Sequence, residues 1–226
     1  MNKRLLLFAW FFVFAFMVKG QEDSTSYDPL DEPNPWTKPN NQEKTRLGVK
    51  MGIQNTYLLG SELSDKKSMI GLLGGGYGRI NFNKTWSLQQ EFQISFKGGN
   101  FNAGPSEIRS FRLLYLDAPI ILMMAFGPKE KYKVGIGIQY SNLLNSNLYI
   151  EKKSYPTGES PKLDRNDWSP LFAYQYQFEY FAMQASAKYG LRDLNLGKPW
   201  PGNDNTFITN NQGSLHNFAV EINIIF

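Results

Sequence analysis

Eight charged residues fall at equivalent positions of a repeated pattern. Lys50, Arg79, Glu91, Lys97, Asp117, Lys133, Lys188 and Glu221 stand in segments where small or polar residues alternate with large apolar ones. Residues two apart in a strand share a face. All eight charges therefore lie on the polar face of their strands, opposite an apolar one. Facing one another across an enclosed lumen, they could relay protons or line a small ion path. They could also neutralise one another as a salt-bridged plug, which the cost of unpaired buried charge favours. Glu91 and Asp117 belong to consecutive strands, so a shared basic partner such as Lys50 or Lys133 is expected. A hydrolase built on paired carboxylates needs an accessible cleft, which a small filled barrel lacks.

Other chemistry-bearing residues point to less. Gly71 to Gly78 is glycine-rich but has no following Gly-Lys-Ser/Thr and leads into a strand, so it fails as a phosphate loop. His216 is the only histidine and reads as a rim residue; no nucleophile motif accompanies it. Asp164, Arg165, Asp167, Trp168 and Trp200 give the long connections a sticky character, read as solvated loop on which a partner could dock. With no cysteine, disulfides, thiolate metal sites and a lipid-modified cysteine are excluded. No catalytic residue, metal or cofactor is expected.

The elements that position these charges follow from the period. From residue 46 onward it is two. Eight segments show it: 46–57, 69–82, 86–96, 111–126, 132–144, 168–178, 181–191 and 215–226. Three connections are short, at 83–85, at 127–131 and around Glu179. Four are long and polar, at 58–68, 98–110, 145–167 and 192–214. Long and short alternate strictly, as in outer-membrane barrels with short periplasmic turns and long outer loops.

Aromatics make up 15% of the chain while mean hydropathy is only −0.40, a combination that suits strands apolar on one face. They collect at strand ends. Phe82, Trp86, Phe126, Tyr132, Phe178 and Tyr180 stand near the short turns. Tyr57, Tyr140, Trp168 and Tyr189 stand near the long loops. Two belts are expected to serve as membrane girdles. Phe218, Val220, Ile222, Ile224 and Phe226 alternate to the last residue. They are expected to close the barrel and to be read by the barrel-assembly machinery.

The start of the chain reads differently. Met1 to Arg4 is basic, Leu5 to Val18 is apolar without interruption, and Lys19-Gly20-Gln21 follows, the layout of a cleaved signal peptide over residues 1–20. The alternative is an uncleaved anchor. Residues 21–45 hold four prolines and no apolar period, so a disordered periplasmic linker is expected. Removing Lys3, Arg4 and Lys19 leaves 21 basic against 20 acidic residues, too balanced to suggest nucleic acid as a partner.

Asn83-Lys84-Thr85-Trp86-Ser87-Leu88-Gln89-Gln90-Glu91-Phe92 resembles the "dKfSLQpELly" strand of the PorT-like porin family of small bacterial outer-membrane barrels. In that family a Lys-Gly segment follows, as Lys97-Gly98-Gly99 does here. Leu114 to Leu122 resembles the family's "lnYLEIPlLLk", with Asp117 in place of Glu and Ala118 in place of Ile. Leu47-Gly48-Val49-Lys50-Met51-Gly52 resembles its opening "GvKgG". The resemblance covers residues 46–226 and implies an eight-stranded outer-membrane barrel. Some relatives belong to a protein-secretion system, but no motif here selects that role.

The expected fold is all-β: an eight-stranded antiparallel up-and-down transmembrane barrel over residues 46–226, after a signal peptide and a linker. The expected location is the bacterial outer membrane. The expected role is non-enzymatic, structural or interacting, as an accessory of a secretion or transport complex. Partners would be outer-membrane lipid and proteins met at the long loops or the linker. The alternatives are a narrow porin, a soluble periplasmic ligand-binding barrel, and an enzyme with Ser, His and carboxylate converging at a rim.

Overall fold

The structure, a computed structural model, describes residues 44–60, 67–102, 108–150, 153–156, 165–194 and 214–226. The expected signal peptide (1–20) and all of the expected linker but Lys44 and Thr45 lie outside these residues.

Alternating residues produce strands β1 (Thr45–Gly60), β2 (Met69–Asn81), β3 (Trp86–Asn102), β4 (Ile108–Phe126), β5 (Tyr132–Ile150), β6 (Lys153–Pro156), β7 (Asn166–Gln177), β8 (Ala182–Tyr189) and β9 (Leu215–Ile225). Eight of them form a closed antiparallel ring, β1-β2-β3-β4-β5-β7-β8-β9, with β9 paired back to β1. The register fixes the shape. Thr45 pairs with Ile80, then the ladder runs through Leu88, Leu122, Ile136, Phe172, Ala187 and Val220, and returns to β1 at Asn55. One circuit therefore climbs ten residues. Eight strands with that stagger tilt about 40° from the barrel axis, within the range that lets side chains fill the lumen.

Polarity is inverted relative to a soluble barrel. Leu47, Val49, Met51, Ile53, Ile136, Ile138, Phe172 and Ile222 are exposed on the outer face. The inner face holds buried glutamines, serines, lysines and acids, with a smaller apolar share such as Tyr77, Tyr115, Ile121, Met123 and Leu171. Such a surface is stable only where the outer solvent is hydrocarbon.

The strands outrun the periodic segments at the long-loop end. β3 and β4 stay paired to Asn102 and Ile108, inside what reads as a connection of residues 98–110. β5 continues to Ile150 and folds back on β6, a small hairpin appended to the barrel. A ribbon that leaves the lipid has water on both faces, so it has no reason to keep an apolar one. β7 begins at Asn166, so Asp167 belongs to a strand and not to solvated loop. Its side chain is 1% exposed.

Candidate functional site

The inward charges are buried, none more than 5% exposed, and the ladder stagger sorts them into levels. Nearest the short turns, Arg79 reaches across the lumen. Its Nε donates to Gln89 Oε1 at 2.9 Å, and its Nη2 donates to that oxygen and to Gln175 Oε1, the latter at 2.7 Å. One level up, Lys50 Nζ meets Glu91 Oε2 at 2.6 Å. Glu91 Oε1 also accepts from Gln89 Nε2 at 2.5 Å and from Gln184 Nε2 at 3.5 Å. Lys50 and Glu91 lie on strands separated by β2, where Gly75 is the register neighbour of Lys50. A Cβ on Gly75 would run into the Phe92 carbonyl oxygen, so only glycine fits there.

The upper levels hold two more pairs. Lys188 meets Glu221 Oε1 at 2.5 Å, and Ser186 donates to Oε2 at 3.1 Å. Lys97 meets the Asp117 carboxylate at 2.9 Å, beside Ser95, whose hydroxyl donates at 2.6 Å. Lys97 also lies 4.6 Å from the centre of the Tyr115 ring. Asp167 accepts the Arg192 N–H at 3.1 Å. A residual cavity among Thr56, Lys97, Gln139, Ser169 and Lys188 is of a size to hold about one water.

Glu91 and Asp117 do not share a cation. Gln93 is the residue opposite Asp117, so the two acids sit one inward position apart, each with its own lysine. Lys133 joins neither, because it enters at the turn end of β5. Arg46 and the inward glutamines occupy the same parity as the eight charges, so the period puts them on the polar face, but it does not single them out as members of the network.

The aromatics face outward at both ends. Phe126, Tyr132, Tyr176, Phe178, Phe181 and Phe226 form a chain of ring contacts, with centroids 4.7 to 6.5 Å apart, running from β4 round to the end of β9. Tyr176 and Phe181 complete this arc and escaped the reading by strand ends. Phe82, Trp86 and Tyr180 are exposed at the same end. At the other end Tyr140 packs on Trp168 at 5.0 Å, Tyr57 on Phe218 at 6.3 Å and Tyr189 on His216 at 5.7 Å. On β9, Phe218, Val220, Ile222 and Ile224 point outward, and the Phe226 N–H bonds Val49 O at 3.0 Å.

An inverted eight-stranded barrel agrees with the sequence family whose pattern fits residues 35–195, the outer membrane protein beta-barrel domain. The chain belongs to that family. It is an outer-membrane β-barrel protein. Among solved structures it is similar to Neisserial surface protein A, with a TM-score of 0.50 and 13% identity over 81% of this chain and 98% of that one. It is also similar to Ail, the attachment invasion locus protein of Yersinia pestis (TM-score 0.41, 12% identity, 82% and 100% covered). A third similar structure is OprG from Pseudomonas aeruginosa (0.40, 10%, 83% and 99%). Identities this low concern the fold alone. Comparison with curated proteins gives no significant match.

Proposed function

We propose that this barrel does not conduct and serves as a structural or interaction protein, an accessory of a secretion or transport complex that meets its partners at the long-loop end or through residues 21–45. The observation that carries this reading is the occupied lumen. Among the described residues three ion pairs line it, hydrogen bonds from Arg79 to Gln175 and from Gln184 to Glu91 span it, and the cavity among Lys97 and Lys188 holds about one water. The PorT-like grouping belongs to the same reading and rests on residues 83–92 and 114–122. Export by a cleaved signal peptide, the two aromatic girdles and recognition of the last strand by the assembly machinery are parts of it too.

Planar-bilayer recording tests the lumen. Purified protein should insert without discrete conductance steps; reproducible single-channel steps would instead favour the narrow porin. A photo-crosslinking residue at Arg165 tests the interaction role. A discrete protein adduct in cells supports it, and adducts to lipid alone count against it.

A further inference from the structure

The ion pairs leave a remainder at one end of the lumen. Arg79 and Lys133 are buried and Arg46 is half-buried, all three pointing inward near the short turns. They share a level. Arg46 is the register partner of Arg79, Lys133 is the register partner of Gln175, and Arg79 spans the lumen to Gln175. Lys133 feels the positive charge of both arginines more strongly than the negative charge of Glu130. Among the described residues, no carboxylate lies within ion-pairing distance of any of the three.

Gln175 adds a second, independent observation. Its Oε1 is taken by Arg79, which fixes the amide orientation and leaves Nε2 buried without an acceptor. A buried donor without a partner is unfavourable, and so are like charges brought together away from water. Both are relieved by one negative group with several lone pairs. The rim would draw such a group in. Lys44, Lys84, Lys129 and Lys131 are exposed around this mouth, against Glu130 and Glu179.

We propose that the short-turn mouth is an oxyanion site, taking a phosphate or carboxylate group from the periplasmic side between Arg46, Arg79, Lys133 and Nε2 of Gln175. Guanidinium, ammonium and amide donors together suit a polyatomic oxyanion, which accepts from several directions at once.

The test is calorimetric titration of the full chain, folded in an uncharged, phosphate-free detergent at low salt. One arm uses inorganic phosphate, the other micelles doped with phosphatidylglycerol. Saturable one-to-one binding of inorganic phosphate supports a free-anion site. A response to the lipid alone supports a headgroup phosphate. Lys133→Met should weaken binding by about tenfold or more, the loss of one charge-assisted contact. Lys131→Gln, on the rim, should change it by less than about twofold. Arg46→Gln provides a second inward variant at a half-exposed position, should Lys133→Met fold poorly. Absence of binding in both arms overturns the proposal. So does an equal loss in the rim and inward variants, which would mean diffuse attraction only.

Discussion

The two ends of the lumen handle charge differently. Toward the long loops and through the middle, each lysine has its own acid: Lys50 with Glu91, Lys97 with Asp117, Lys188 with Glu221. At the short-turn end, among the described residues, Arg79 bonds neutral amides and Arg46, Arg79 and Lys133 form no ion pair, although Lys133 feels the charge of Glu130 on the rim. The paired region is a network in which each of these lysines depends on its own acid. The mouth holds charge that no ion pair among the described residues neutralises. A buried pair resists losing one member, whereas an uncompensated charge resists being kept.

Cutting one pair should therefore have the largest effect. Glu91→Ala leaves Lys50 buried without a partner and should cost about 3–5 kcal/mol, read as the urea midpoint of the barrel folded in lipid vesicles. The double variant Lys50→Met/Glu91→Leu should recover most of that. If the single variant loses less than about 1 kcal/mol, water reaches Lys50 and the network is not closed.

Charge placed on the outer wall checks that the contrast belongs to the lumen and not to the whole barrel. Ile136 lies midway between Tyr132 and Tyr140 on β5 and is 66% exposed, while Ile70 stands at the long-loop end of β2. Ile136→Arg should cost about 2–4 kcal/mol in vesicles and Ile70→Arg about 0–1. Equal costs would mean that the hydrocarbon zone is not centred where the tyrosines put it.

Gly75→Ala sharpens the comparison from the backbone side. The new methyl meets the Phe92 carbonyl and the Gln93 backbone, for a loss of about 1–3 kcal/mol by the same urea assay. The smallest effect should have the opposite sign. Lys133→Met removes an uncompensated charge and should leave stability unchanged or raise it by about 1 kcal/mol in anion-free buffer. A loss as large as that of Glu91→Ala would erase the distinction between the two ends.

Much of this was legible in the sequence, for a physical reason. Lipid outside and a polar lumen inside force a period of two, so the inward parity of Lys50, Glu91 or Lys188 could be read residue by residue. Their partners could not. Whether Glu91 meets Lys50 or Lys133 depends on the ten-residue stagger, which is a property of the closed ring and of no single segment. Strand ends were equally hidden. Gly98, Gly99 and Asn100 look like loop because their ribbon no longer faces hydrocarbon, yet their backbone remains in the ladder. Asp167 reads as loop on the same ground, although its strand begins one residue earlier at Asn166.

The aromatic girdle at the short-turn end has one gap, at β1. Six rings join β4 to the end of β9, Phe82 follows β2 and Trp86 opens β3, while β1 offers Leu47 and Val49 over the same height. Rings hold their depth in the headgroup layer, whereas aliphatic side chains slide past it at little cost. The cylinder is thus moored round most of its circumference, with one aliphatic strand between Phe226 and Phe82. When the surrounding bilayer thins or thickens, the lipid beside β1 takes up the larger share of the mismatch.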